Sequence, residues 1–167
     1  MNPLLLLLII PLLTIAGIVQ VSDVAKVRWV SAIGMSAQLI FSFVLLYLFY
    51  QERSSGNTDP MLFVSSTTWY ESFNIQLKFG VDGISVSMIL LTSIVTFAGM
   101  FASWQVDYLS KEFFISLIIL AAGVFGFFIS LDLFTMFLFY EMAVIPMYLL
   151  IGIWGSGNKT YSANKLA

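Results

Sequence analysis

The sequence predicts an all-α polytopic membrane protein. Five transmembrane helices and the start of a sixth form a single membrane domain over residues 1–167, with a short hairpin-like loop at the membrane surface. Three observations predict this. The chain is 60% apolar and 10% charged, with a mean hydropathy of +0.98, more apolar surface than a soluble domain of this size can bury. Its apolar runs are about 20 residues long, the length a helix needs to cross a bilayer's hydrocarbon core. Polar segments with turn-forming residues separate the runs.

The first run, Pro3 to Gln20, has no basic residue ahead of it and no small-x-small cleavage site after it, so it reads as a retained helix rather than a signal peptide. Pro11 inside it suggests a kink of the kind a lipid-embedded helix tolerates. Ser22 to Arg28 is a polar turn carrying two cations, and Trp29 to Tyr50 is the second span, closed by Tyr47 and Tyr50 at an interface. Ser36, Gln38 and Ser42 within it are suited to helix–helix hydrogen bonds. Gln51 to Gly80 is the one long extramembrane segment. Turn formers (SSGNTDP) open it, and the partly alternating, aromatic-rich stretch that follows suggests short strands packed on a neighbour.

Asp82 is placed to cap the third span, Ile84 to Phe101, by accepting from exposed amides at its start. A loop from Gln105 to Lys111 leads to the fourth span, Glu112 to Ser130, where Gly123 and Gly126 permit close helix contact. Asp132 is a second cap, at the start of the fifth span. After Trp154 a polar loop (GSGNKTY) precedes Ser162 to Ala167, which begins a helix and stops. The chain therefore reads as the front part of something longer.

The fifth span, Leu133 to Trp154, carries a single charge, Glu141. Eight residues in from Leu133, that acid lies about 12 Å deep at 1.5 Å per residue. A carboxylate at such depth costs roughly 2.5–3.5 kcal/mol on insertion scales, so an intramembrane acid marks a functional site. Its helical neighbours Phe137, Leu138, Val144, Ile145 and Tyr148 cannot neutralise it. Pro146, five residues on, removes a backbone donor and suggests a kink one turn past the acid. No Lys or Arg lies within the five spans, so a switchable Glu141 needs a countercharge from a further helix or another subunit. That requirement points to proton handling; the alternative role is a protonated acid bonding between helices.

Composition excludes other chemistry. The chain has neither Cys nor His, which removes thiolate nucleophiles, imidazole acid–base catalysis and the usual ligands of zinc and iron–sulfur clusters. The net charge of −2 and the lack of a basic cluster argue against nucleic acid as a partner. Any protons moved here pass through carboxyl, amine, phenol or water.

Three stretches carry a family resemblance: FGVDGIS leading into the third span, SLDLFTMFLFYEMAVIPMYLLIGIWG through the fifth, and KTYSANK after it. Together they resemble the antiporter-like membrane subunits of respiratory complex I. The resemblance covers the whole chain but only the opening part of the family's length. It implies a proton-translocating membrane-arm subunit of a bacterial NADH:quinone oxidoreductase, seated among other membrane-arm subunits in the inner membrane. Glu141 matches the family's glutamate on the fifth helix, which pairs with a lysine on a later helix. Lys165 matches a family lysine at the start of the sixth, although an interfacial cation with its head in water explains it as well. No cofactor is implied on this chain; NADH, FMN, iron–sulfur clusters and quinone would be bound by other subunits. Multisubunit cation/proton antiporters and membrane hydrogenases share the pattern. A nonenzymatic membrane scaffold is a third reading, and Glu141 counts against it.

Orientation follows from the cations. Lys26, Arg28, Lys111, Lys159 and Lys165 fall on one side of the predicted spans, against Arg53 and Lys78 on the other. An excess of basic residues marks the inner face, so the N-terminus and the Gln51–Gly80 segment are expected outside. Single cysteines at Ser54 and Lys159 should label with an impermeant thiol reagent from opposite faces. Labelling of both from the same face would defeat this topology.

Overall fold

A computed structural model describes residues 3–70, 75–155, 157 and 159–166. Six helices and two strands follow one another: α1 Pro3–Val19, α2 Val24–Ser54, β1 Leu62–Tyr70, β2 Ile75–Val81, α3 Gly83–Ala102, α4 Ser110–Ile129, α5 Leu133–Trp154 and α6 Lys159–Leu166. Four of them, α2 to α5, are long and apolar enough to cross a membrane, whereas the apolar α1 is shorter at 17 residues. The fold is thus mostly helical, as the apolar runs predict.

Boundaries differ from the expected ones where polar residues finish a helix rather than form a loop. α2 extends about a turn beyond Trp29–Tyr50 at each end. At its start Asp23 accepts from the Ala25 amide, so Val24 to Arg28 is helix and not turn. At its end Arg53 donates to the carbonyls of Asn57 and Asp59 just past the helix. Val81 belongs to β2, and α3 begins only after Asp82, whose carboxylate accepts from the Ser85 amide at 2.8 Å. That bond holds the Asp82 carboxyl below its ordinary range. Asp132 caps α5 as expected, accepting from the amides of Phe134 and Thr135.

β1 and β2 pair antiparallel, from Leu62 opposite Val81 to Tyr70 opposite Ile75. The connection expected to make them a hairpin lies outside the described residues, as does Ala167 at the end of the expected sixth helix. The sheet is fastened to the bundle: the Leu131 amide donates to the Lys78 carbonyl at 2.8 Å, in the turn between α4 and α5, and Phe79 bridges to Ser130.

Two apolar clusters fill the bundle. One, towards the sheet, gathers Leu4, Leu45, Ile89 and Phe125; the other, towards the opposite end, gathers Ile18, Met35, Met100 and Phe114. Polar contacts at that opposite end join segments that are distant in sequence. Lys111 of α4 donates to the Val19 and Val21 carbonyls at the end of α1. Arg28 of α2 bonds Asp107 at 2.7 Å and the Val106 carbonyl.

α4 packs closely on α5 at two glycines. A Cβ built on Gly123 would lie 2.8 Å from the backbone nitrogen of Ala143, and one on Gly126 would strike the ring of Phe139. Backbone cannot move aside locally, whereas a ring can turn. Gly123→Ala should therefore destabilise the packed protein by about 1–3 kcal/mol, the cost of overpacking, and Gly126→Ala by less. Thermal midpoints of the two variants in detergent check the ordering; equal midpoints would mean that α4 and α5 separate freely.

Candidate functional site

The site is built on α5, which is fixed at three places. Asp132 closes its first turn. Midway, Ala143 and Phe139 lie against the two glycines of α4. At the far end, Trp154 Nε1 donates to the Tyr108 carbonyl at 2.8 Å, and the Trp154 ring meets Phe113 edge-on. These contacts set the rotation of the helix. At 100° per residue, Glu141 is about 200° from Phe139 in one direction and from Ala143 in the other. It therefore faces away from α4.

Glu141 is exposed, in the middle of a helix of which only Thr135 and Pro146 are buried. Phe137, Ile145 and Tyr148 are exposed on the same flank. Among the described residues Glu141 has no hydrogen-bond or ion-pair partner. The helix runs unbroken through Pro146, as α1 runs through Pro11. On the α4–α5 flank, Leu120, Val124, Phe127, Tyr140 and Val144 help line an apolar cavity of about 330 Å³. It offers no polar route to the acid.

Lys165 sits elsewhere. It lies on α6, exposed, with its ammonium 5.9 Å from the centre of the Tyr161 ring. α6 folds back along α5, where Asn164 Oδ1 accepts from the Tyr148 hydroxyl at 3.3 Å. Tyr148 is seven residues beyond Glu141, about 10 Å along the helix. Lys165 and Glu141 share no contact, so the structure does not bring the two sequence-predicted groups together. Sequence reasoning missed the Tyr148–Asn164 bond and the Trp154 tie. Neither has a local signal, because each joins residues whose meeting depends on how loops fold back.

Fold and site together define an integral membrane helical bundle that carries a lone acid on an uncovered helix face. Residues 130–167 match the family described as NADH:quinone oxidoreductase/Mrp antiporter, transmembrane. The chain is similar to NAD(P)H-quinone oxidoreductase chain 4-2 of Synechocystis, 33% identical over 144 residues, which cover 86% of this chain and 25% of the relative. It is also similar to the chloroplastic chain 4 of Chara vulgaris, 34% identical over 140 residues, 83% of this chain and 27% of that one. Among solved structures it resembles a chain of the archaeal membrane-bound sulfane sulfur reductase, a respiratory membrane complex. The TM-score is 0.78 and the identity 18%, with 99% of this chain and 33% of that chain covered; at that identity the likeness is one of fold. The chain belongs to the antiporter-like membrane subunits of the NADH:quinone oxidoreductase type. It spans about a quarter of the length of the curated relatives it matches.

Asp132 positions the whole site through the first turn of α5. Asp132→Ala leaves two amides without their acceptor and should cost about 1 kcal/mol, the usual cost of a lost N-cap, while Asp132→Asn should cost much less. Comparing the thermal stability of the two variants tests this; equal losses would show that the cap is not what holds the turn.

Proposed function

We propose that residues 1–167 form one membrane domain of a proton-translocating membrane-arm subunit of an NAD(P)H:quinone oxidoreductase, and that Glu141 carries protons in it. The observation that carries this reading is the placement of Glu141 in mid-helix, unpartnered among the described residues, on the face of α5 that α4 does not cover. A cation brought beside that face by another helix or subunit favours the carboxylate; its withdrawal favours the protonated acid. Alternation between the two moves a proton without any redox centre on this chain. Other membrane-arm subunits and lipid would surround the domain, and NADH, FMN, iron–sulfur clusters and quinone would be bound by other subunits. The setting is a bacterial inner membrane, with the N-terminus and the sheet outside. Lys165, on the inner side, is a weaker second candidate for the proton path.

The matched family also includes the Mrp antiporters, so cation/proton antiport by the same acid is the second reading. The two differ in what drives transport: a redox donor in one, an opposing cation gradient in the other.

Glu141→Gln keeps the shape and most hydrogen bonding of the side chain but cannot ionise. In vesicles supplied with NADH, the variant complex should assemble normally while its pH gradient falls about tenfold or more, a modest share of what a positioned acid–base group contributes. Adding Ile145→Glu or Phe137→Glu restores an acid about 6 Å away on nearly the same face. Partial recovery is expected if water links the acid to its partner. A full gradient from Glu141→Gln alone would leave the acid a structural role only. A gradient made by a sodium pulse without NADH would favour antiport.

A further inference from the structure

Between the two apolar clusters runs a polar layer made by α1, α2 and α3. Gln38, Ser42 and Ser93 form its centre, each 2% exposed or less. Its geometry begins with Pro11. Lacking an N–H, Pro11 cannot donate to the carbonyl four residues back, which is that of Leu7. Gln38 of α2 supplies the missing donor: its Nε2 bonds the Leu7 oxygen at 3.3 Å. Because a carbonyl only accepts, this contact fixes which way round the Gln38 amide lies. Its Oε1 is then directed elsewhere, buried, and without a hydrogen-bond partner among the described residues.

The neighbouring hydroxyls have nothing to spare. Ser42 Oγ lies 3.0 Å from the Gln38 carbonyl and 2.5 Å from Ser93 Oγ, which lies 2.9 Å from the Ile89 carbonyl. Two hydroxyl hydrogens already serve these three contacts. Backbone amides at this level belong to helices. One turn before Gln38 on α2, Gly34 lies close against Thr14 of α1. Since Gln38 is 1% exposed within this chain alone, a covering helix or partner subunit cannot reach Oε1 without displacing α1 to α4.

We propose that this layer holds one ordered water between α1, α2 and α3. It donates one hydrogen to Gln38 Oε1 and directs the other to the Ser42–Ser93 hydroxyl pair. Buried waters occupy sites of this kind, where polar atoms outnumber the donors that can serve them. The layer carries no charge among its own side chains, which selects a neutral donor over a metal cation. This site is separate from Glu141 and does not depend on any role assigned to that acid.

A density map of the intact membrane assembly containing this chain, resolved finely enough to show ordered solvent, tests the proposal. A solvent peak about 2.6–3.2 Å from Gln38 Oε1 is expected, and Gln38→Met should abolish it. Three results would overturn the proposal: no peak in the wild-type map, a protein donor on Oε1, or a peak that persists in Gln38→Met. If Gln38→Met fails to assemble, the wild-type map still decides. Replacing potassium by sodium should leave the peak and the thermal midpoint unchanged; a sodium-dependent rise in the midpoint that Gln38→Met removes would identify a cation site instead.

Discussion

The approach of α4 to α5 at Gly123 governs how this protein presents Glu141, the one charged side chain of α5. Lipid tails are as apolar as leucine, so helices in a bilayer gain little from hiding apolar side chains. They associate instead where small residues let backbones come close. Gly123 brings α4 onto the backbone of Ala143, and Gly126 accepts the ring of Phe139. With those two contacts made, the rotation of α5 has no freedom left, and Glu141 must point away from the bundle. A larger residue at position 123 would shift the acid as well as weaken the packing.

The ends of the helices are fixed by a different kind of interaction. Asp23, Asp82 and Asp132 each accept from amides in the first turn of the helix that follows, and Lys111 closes the end of α1 from α4. Most of the chain's few charges therefore sit at helix ends, where water or peptide dipoles compensate them. Glu141, the one charged side chain in α5, lies in mid-helix and has neither compensation. That contrast sets it apart more clearly than its depth does.

Much of this was legible in the sequence because hydrocarbon restricts the choices. Apolar runs, Asp82 and Asp132 before the third and fifth of them, and paired small residues follow directly from the need to satisfy backbone and pack helices. Less legible were α2's extra turns, because Lys26 and Arg28 look like loop residues until Asp23 is seen to cap them. The meeting of Tyr148 with Asn164 was hidden because it requires α6 to fold back along α5. Pro11 and Gln38 showed the limit most clearly. The sequence presents a tolerated proline and a helix-bonding glutamine 27 positions apart, and only the fold shows that the second completes the hydrogen bonding of the first.

The bundle is thus unequal in its needs. α1 to α4 bury two apolar clusters and satisfy Leu7's carbonyl internally, so their polar layer is closed to whatever surrounds the protein. α5 is packed against α4 on one side, while Glu141 on the other side is exposed. A charge switch requires an acid whose partner can come and go, and a group sealed inside α1 to α4 could not have one without breaking their packing. The acid of α5 lies on the exposed side, where a neighbouring helix reaches it without any change in that packing. The fold thus divides into a closed core and an open face that bears the one charged side chain of α5.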